Sequence, residues 1–167
     1  INWLENGFSN IQFHPDRKIH RKLTSLAFKN ILHPFQPFIL GQKNIAPKFA
    51  SQYNINFIMY GETQAEGGSS YKYSLKPTMD QGYYSKEVTD DIKLAGYDIK
   101  ELEEYKIKLS DIQPYLPIDP EKAQKIEVHH MGYYYKWDPQ DIYYYASTHC
   151  NFQANDSRSE GTYTKYS

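Results

Sequence analysis

The sequence predicts an α/β fold, a parallel sheet flanked by helices with a long loop or helical insertion, and three observations carry that prediction. Phe57-Ile58-Met59-Tyr60, four large apolar or aromatic residues between Asn56 and Gly61, have the length and composition of a strand buried on both faces, and such strands are usually parallel. Helical periods precede this run at distances suited to crossover connections. A polar turn, Gly61-Glu62-Thr63-Gln64-Ala65-Glu66-Gly67-Gly68, follows it at once. In open α/β sheets ligands bind beyond the carboxyl ends of strands. That turn is the expected site, and its plain alternative is a solvated loop closing a core strand.

In chain order, residues 1–4 predict the middle of a helix stopped at Asn6-Gly7, with glycine at C′. Part of the protein is expected upstream. Residues 8–13 form a short apolar run closed by His14-Pro15, consistent with a strand. Asp16 can cap a helix in which Ile19, Leu23, Leu26, Ala27 and Ile31 share one face. The basic residues Arg17, Lys18, His20, Arg21 and Lys22 predict a solvated face, or alternatively a phosphate contact. Residues 33–42 carry two prolines and two aromatics and predict a partly buried connection. A short helix ending near Tyr53 is expected next, with Pro47 in its first turn.

Beyond the strand, residues 69–86 show no sustained period and predict a long loop. Residues 88–94 and 98–105 predict short polar helices, and 69–126 as a whole predicts an insertion or lid rather than core. Residues 127–135 predict a second buried strand. Asp138 as N-cap, Pro139 at N1 and Asp141 at N3 then open a helix running to about Cys150.

The 167 residues suit one domain with one core. A net charge of -1 supplies no field that would draw nucleic acid. The single cysteine, Cys150, leaves no internal disulfide framework and suits a reducing compartment. Neither a leading apolar h-region nor a membrane-length apolar run is present, so the expected location is cytoplasmic. His129, His130, His149 and Cys150 lack the paired spacing of a zinc site. The clusters Tyr133-Tyr134-Tyr135 and Tyr143-Tyr144-Tyr145 could stack on a sugar or base, or pack at a half-buried or subunit interface. No Gly-rich nucleotide loop of familiar type occurs.

Four blocks carry a resemblance. They are His20-Arg21-Lys22-Leu23-Thr24, Ile58-Met59-Tyr60-Gly61-Glu62-Thr63-Gln64-Ala65-Glu66-Gly67-Gly68, Gly132-Tyr133-Tyr134-Tyr135-Lys136-Trp137-Asp138-Pro139, and Ser159-Glu160-Gly161-Thr162-Tyr163-Thr164-Lys165-Tyr166-Ser167. Together they resemble the N-acetyl sugar amidotransferases, PP-loop ATP pyrophosphatase-type enzymes of bacterial surface-sugar biosynthesis. The likeness is strongest to those of pseudaminic acid and lipopolysaccharide O-antigen biosynthesis, and it covers nearly the whole chain in order.

The resemblance implies a Rossmann-like fold of the adenine nucleotide alpha hydrolase type, of which this chain is a central part. The family's Ser-Gly-Gly-x-Asp-Ser loop is absent from the sequence and is expected upstream of Ile1. The implied reaction converts a sugar N-acetyl group to acetamidino: ATP adenylates the amide oxygen, with Mg²⁺, and ammonia from a separate glutaminase displaces AMP. The residues implied are Glu62 and Glu66 as the catalytic pair, with Glu62 the expected magnesium ligand, and Gly61 and Thr63 beside them. Arg158 and Lys165 would meet phosphate or a sugar carboxylate, while Glu160, Gly161 and Thr162 would shape the pocket. Two alternatives stand beside this one, a non-catalytic sugar-nucleotide or glycan-binding module and an interaction domain, a homo-oligomer among them, with aromatics at its interface.

Overall fold

The computed structural model describes residues 2–61, 76–85, 92–136, 138–158 and 165. They divide into two compact units, Ile1–Phe13 with Tyr135–Ser167, and His14–Tyr134. The larger unit is mixed helix and strand around a small parallel sheet, compatible with the α/β class.

In the larger unit, helix α2 (Arg17–Ile31) starts where Asp16 accepts the backbone N–H groups of Lys18 and Ile19, at 2.8 and 3.0 Å. These are orphan donors of the first turn, which a short carboxylate satisfies. Its apolar stripe buries Leu23, Leu26 and Ala27. Helix α3 (Gln36–Gln52) corrects two expectations. It begins inside the stretch 33–42, because Pro37 falls in its first turn, where the missing N–H costs nothing. Pro47 lies buried well inside the helix, where its ring withholds one i→i−4 donor. The stretch 33–42 is partly buried, as expected: Pro37 is enclosed and Leu40 packs against the core, while Phe35, Phe38 and Ile39 are exposed.

Strand β1 (Phe57–Tyr60) pairs in parallel with β2 (Glu127–His130), in the register Phe57↔Glu127 to Tyr60↔His130. The parallel pairing is as expected, but burial on both faces is not. Ile58 and Tyr60 pack against a core that includes Ala50, Tyr84, Ile126 and Val128, whereas Phe57 is 47% exposed on the other face. Only one face is covered, so the side chains of β1 alternate. The far edge of β2 is met by residues 77–79: Met79 N–H donates to the Val128 carbonyl at 2.7 Å and His130 N–H to that of Pro77 at 3.3 Å.

The expected second strand, 127–135, is shorter. After His130 the chain turns into helix α7 (Met131–Tyr134). Between the strands come α4 (Ile99–Glu104), α5 (Leu109–Ile112) and α6 (Pro120–Ala123). Asp98 and Glu101 close a capping box on α4, so Glu101 serves the helix start. The described part of 69–126 contributes to the core. Leu94, Ala95, Leu102, Ile107, Ile112 and Leu116 are buried together with Leu23 and Ala27 of α2. Residues 92–94 are not helical, and the rest of the helix expected over 88–94 lies outside the described residues.

The smaller unit holds α1 (Asn2–Glu5) and α8 (Pro139–His149). Gly7 has φ +79°, and the N–H groups of Phe8 and Gly7 donate to the carbonyls of Trp3 and Leu4 at 2.9 and 3.1 Å, a Schellman ending that glycine permits. Residues 8–13, expected as a strand, carry no regular structure. A strand needs a ladder partner, and none of the described residues supplies one. Asp138 caps α8 through the N–H groups of Gln140 and Asp141. Asn2 exchanges two hydrogen bonds of 3.0 Å with the backbone of Gln153, and Asn6 donates to the Cys150 carbonyl.

Candidate functional site

The parallel register brings Tyr60 beside His130, so Gly61 and Met131 leave the same carboxyl edge of the sheet. Each strand's alternation then sorts its side chains onto two faces. On the inner face His130 is 6% exposed and stacks on Tyr60, ring centroids 5.6 Å apart. Nδ1 of His130 has no hydrogen-bond partner among the described residues. Burial, and secondarily the neighbouring His129, hold its pKa below the usual imidazole value.

On the outer face three polar groups form a chain. The Glu127 carboxylate lies 3.4 Å from Nε2 of His129, and Nδ1 of His129 lies 2.6 Å from the Tyr134 hydroxyl. The imidazole stands between the ring of Phe57, at 5.0 Å, and that of Tyr134, stacked at 6.0 Å. Helix α7 produces this arrangement by folding back as soon as the strand ends, which carries Tyr134 over His129. Carboxylate, imidazole and hydroxyl in this order can move a proton. By sequence spacing these histidines read as candidate metal ligands, or as part of a Cys-His pair, and not as a proton chain. The signal that could have found the chain is the alternation Glu127-Val128-His129, which puts acid and imidazole on one strand face.

Of the expected site residues, Gly61 stands at the carboxyl edge, and a Cβ built on it meets nothing within 4 Å among the described residues. Glu62, Thr63, Glu66, Glu160, Gly161 and Thr162 lie outside the described residues. Arg158 and Lys165 are both exposed in the smaller unit, where Asn155 N–H donates to the Lys165 carbonyl at 3.0 Å. A cleft of about 990 Å³ opens at the amino ends of the strands, lined by Asn54, Asn56, Lys122 and Lys125 among others. It is on the opposite edge from Gly61.

The phosphate alternative for the basic start of α2 loses two of its members. His20 lies 2.9 Å from the Tyr115 hydroxyl and stacks on that ring, and Lys22 donates to the Tyr105 carbonyl. Burial, with Asp16 nearby, pushes the Tyr115 phenol up to about 12. Among the described residues no three of His, Cys, Asp and Glu come together in a metal-holding group. No helix among them is long and apolar enough to cross a membrane.

Comparison of the chain with protein-family models and with curated proteins found no match in either.

Proposed function

We propose that this chain belongs to an amidine-forming N-acetyl sugar amidotransferase of cytoplasmic surface-sugar biosynthesis. One observation carries the reading. Two of the blocks that bear the resemblance meet the parallel pair at the same edge: one runs through β1 from Ile58 and leaves it at Gly61, and Gly132 opens the other just past β2, about seventy residues on. Strand ends are where such folds assemble ligand sites.

An amide is a poor electrophile, and transfer of the adenylyl group of ATP to its oxygen makes that oxygen a leaving group. The chain's task is then to orient the acetamido group, exclude water and manage one proton. Magnesium prefers several oxygen ligands. The described groups along β2 and α7 are two imidazoles, a phenol and a single carboxylate, Glu127 at the amino end of the strand, which do not suit it. The carboxylate proposed to hold it is Glu62, with Glu66 as its catalytic partner. Gly61 and Thr63 would flank the substrate. Arg158 and Lys165 would meet phosphate or sugar carboxylate as charge-assisted donors, with Glu160, Gly161 and Thr162 shaping the wall. Ammonia would come from a separate glutaminase.

The test uses protein translated from the whole reading frame that contains this sequence. Given an N-acetylated nonulosonic sugar, ATP, magnesium and ammonia, it releases AMP and pyrophosphate. If Glu62→Gln and Glu66→Gln both turn over like the parent, the site assignment is wrong. A second reading, a glycan-binding module, is favoured by one observation: Tyr133 and Tyr134 meet edge to face at 5.4 Å and are each about half exposed, as stacking platforms are. Saturable sugar binding with no consumption of ATP would select it.

A further inference from the structure

We infer that Tyr134, backed by His129 and Glu127, takes the proton shed by the attacking ammonia, with the acetamido group of the sugar lying on the outer face of the sheet beside Phe57 and Met59. This rests on the amidotransferase reading above. The core does not need the chain of groups that performs it. Glu127 is 73% exposed at its side chain and Tyr134 48% overall, so neither is held in place by burial. His129, at 13% side-chain exposure, is sheltered between them. Phe57 and Met59 leave apolar ground next to the imidazole, suited to the methyl of an acetamido group.

A free phenol titrates near 10 and is a weak proton acceptor at neutral pH. Its oxygen becomes basic only if its own hydrogen can leave as a new one arrives. The 2.6 Å contact with Nδ1 of His129 provides that exit. As the new C–N bond forms, the nitrogen of ammonia becomes cationic, and one of its protons passes to the Tyr134 oxygen. The phenolic proton passes to Nδ1 of His129. The C–O bond to the adenylyl group breaks, and AMP leaves with the electron pair. One proton remains on the imidazole, whose Nε2–H faces the Glu127 carboxylate, and is later lost to solvent. Tyr134 is the catalytic residue in this scheme, and His129 and Glu127 are positioning residues.

The two half-reactions separate this role from a structural one. In protein translated from the whole reading frame, Tyr134→Phe keeps the ring and removes only the hydroxyl. It should leave sugar-dependent ATP–pyrophosphate exchange within about twofold of the parent while amidine formation falls about 10²-fold, the usual size of an acid–base contribution. Glu127→Gln should lower amidine formation alone and move the NMR chemical shifts of the His129 ring nitrogens. Glu127→Asp should restore part of the rate. Unchanged amidine formation in Tyr134→Phe, or exchange falling in step with it, overturns the inference and leaves the amidotransferase reading standing. A parent protein that neither exchanges pyrophosphate nor forms amidine with any N-acetylated sugar overturns both.

Discussion

His130 is a titratable residue held largely out of water. Its imidazole is nearly enclosed, Nδ1 has no partner among the described residues, and its pKa is held below 6.5. The unfolded chain therefore binds a proton at a pH where the folded chain does not, so stability rises with pH through this window. The contribution of His130 is complete above 6.5 and is lost as pH falls towards the folded value. Urea midpoints measured from pH 7.5 down to 5 should decline, and His130→Gln should flatten that decline. Two glycines make a second contrast. Gly96 has φ +83°, and a Cβ there would come within 2.4 Å of Asn30 and 2.6 Å of Ile31, while Asn30 is engaged with the Ala95 carbonyl. Gly96→Ala adds left-handed strain to that clash and should cost about 2 kcal/mol or more. Gly61→Ala meets no described residue within 4 Å and should stay within about 0.5 kcal/mol. Thermal melts of the two variants decide this. A Gly61→Ala protein that melts like its parent yet loses activity would point to a ligand against that backbone.

Capping sets the elements apart. Asp16 holds two N–H groups at 2.8 and 3.0 Å on a helix that buries Leu23, Leu26 and Ala27. Asp138 makes the same kind of cap at 3.1 and 3.3 Å on a helix with no buried residue. Loss of a cap costs about 1 kcal/mol, but whether the cooperative transition registers it depends on what the helix is tied to. Asp16→Ala should lower the denaturation midpoint of the larger unit. Asp138→Ala should appear instead as fraying of α8, read by backbone NMR. In β1 and β2 the local pattern was readable only in part. The run 57–60 identified a strand and its parallel sense, yet which of its faces meets the core was settled by Ala50, Tyr84 and Ile126, which come from other parts of the chain.

Across the whole molecule, burial concentrates in the larger unit. Leu23, Leu102 and Ile112 are fully buried there, while neither α1 nor α8 buries a residue. Opening free energies follow packing. Amide hydrogen exchange should be slowest at Leu23, Leu102 and Ile112 and faster by orders of magnitude in α8. Equal protection in both would contradict this account. Phe28, Leu32, Phe35 and Phe38, from the end of α2 to the start of α3, are each exposed.

What the sequence determined by itself are the features decided within a few residues. The helix caps at Asp16, Asp98 and Asp138 and the glycine stop at Gly7 are of this kind, since a cap joins a side chain to an N–H two or three positions away. The tertiary structure decided the rest. The core made by residues 92–126 with α2, the strand at 8–13 that did not form, and the end of β2 at His130 all depend on partners far along the chain. The chain Glu127–His129–Tyr134 needed both levels: strand alternation aligned the first two groups, and only the backward fold of α7 delivered the third. Local hydrogen bonding is legible from order alone, whereas the face a side chain presents is set by what the fold packs against it.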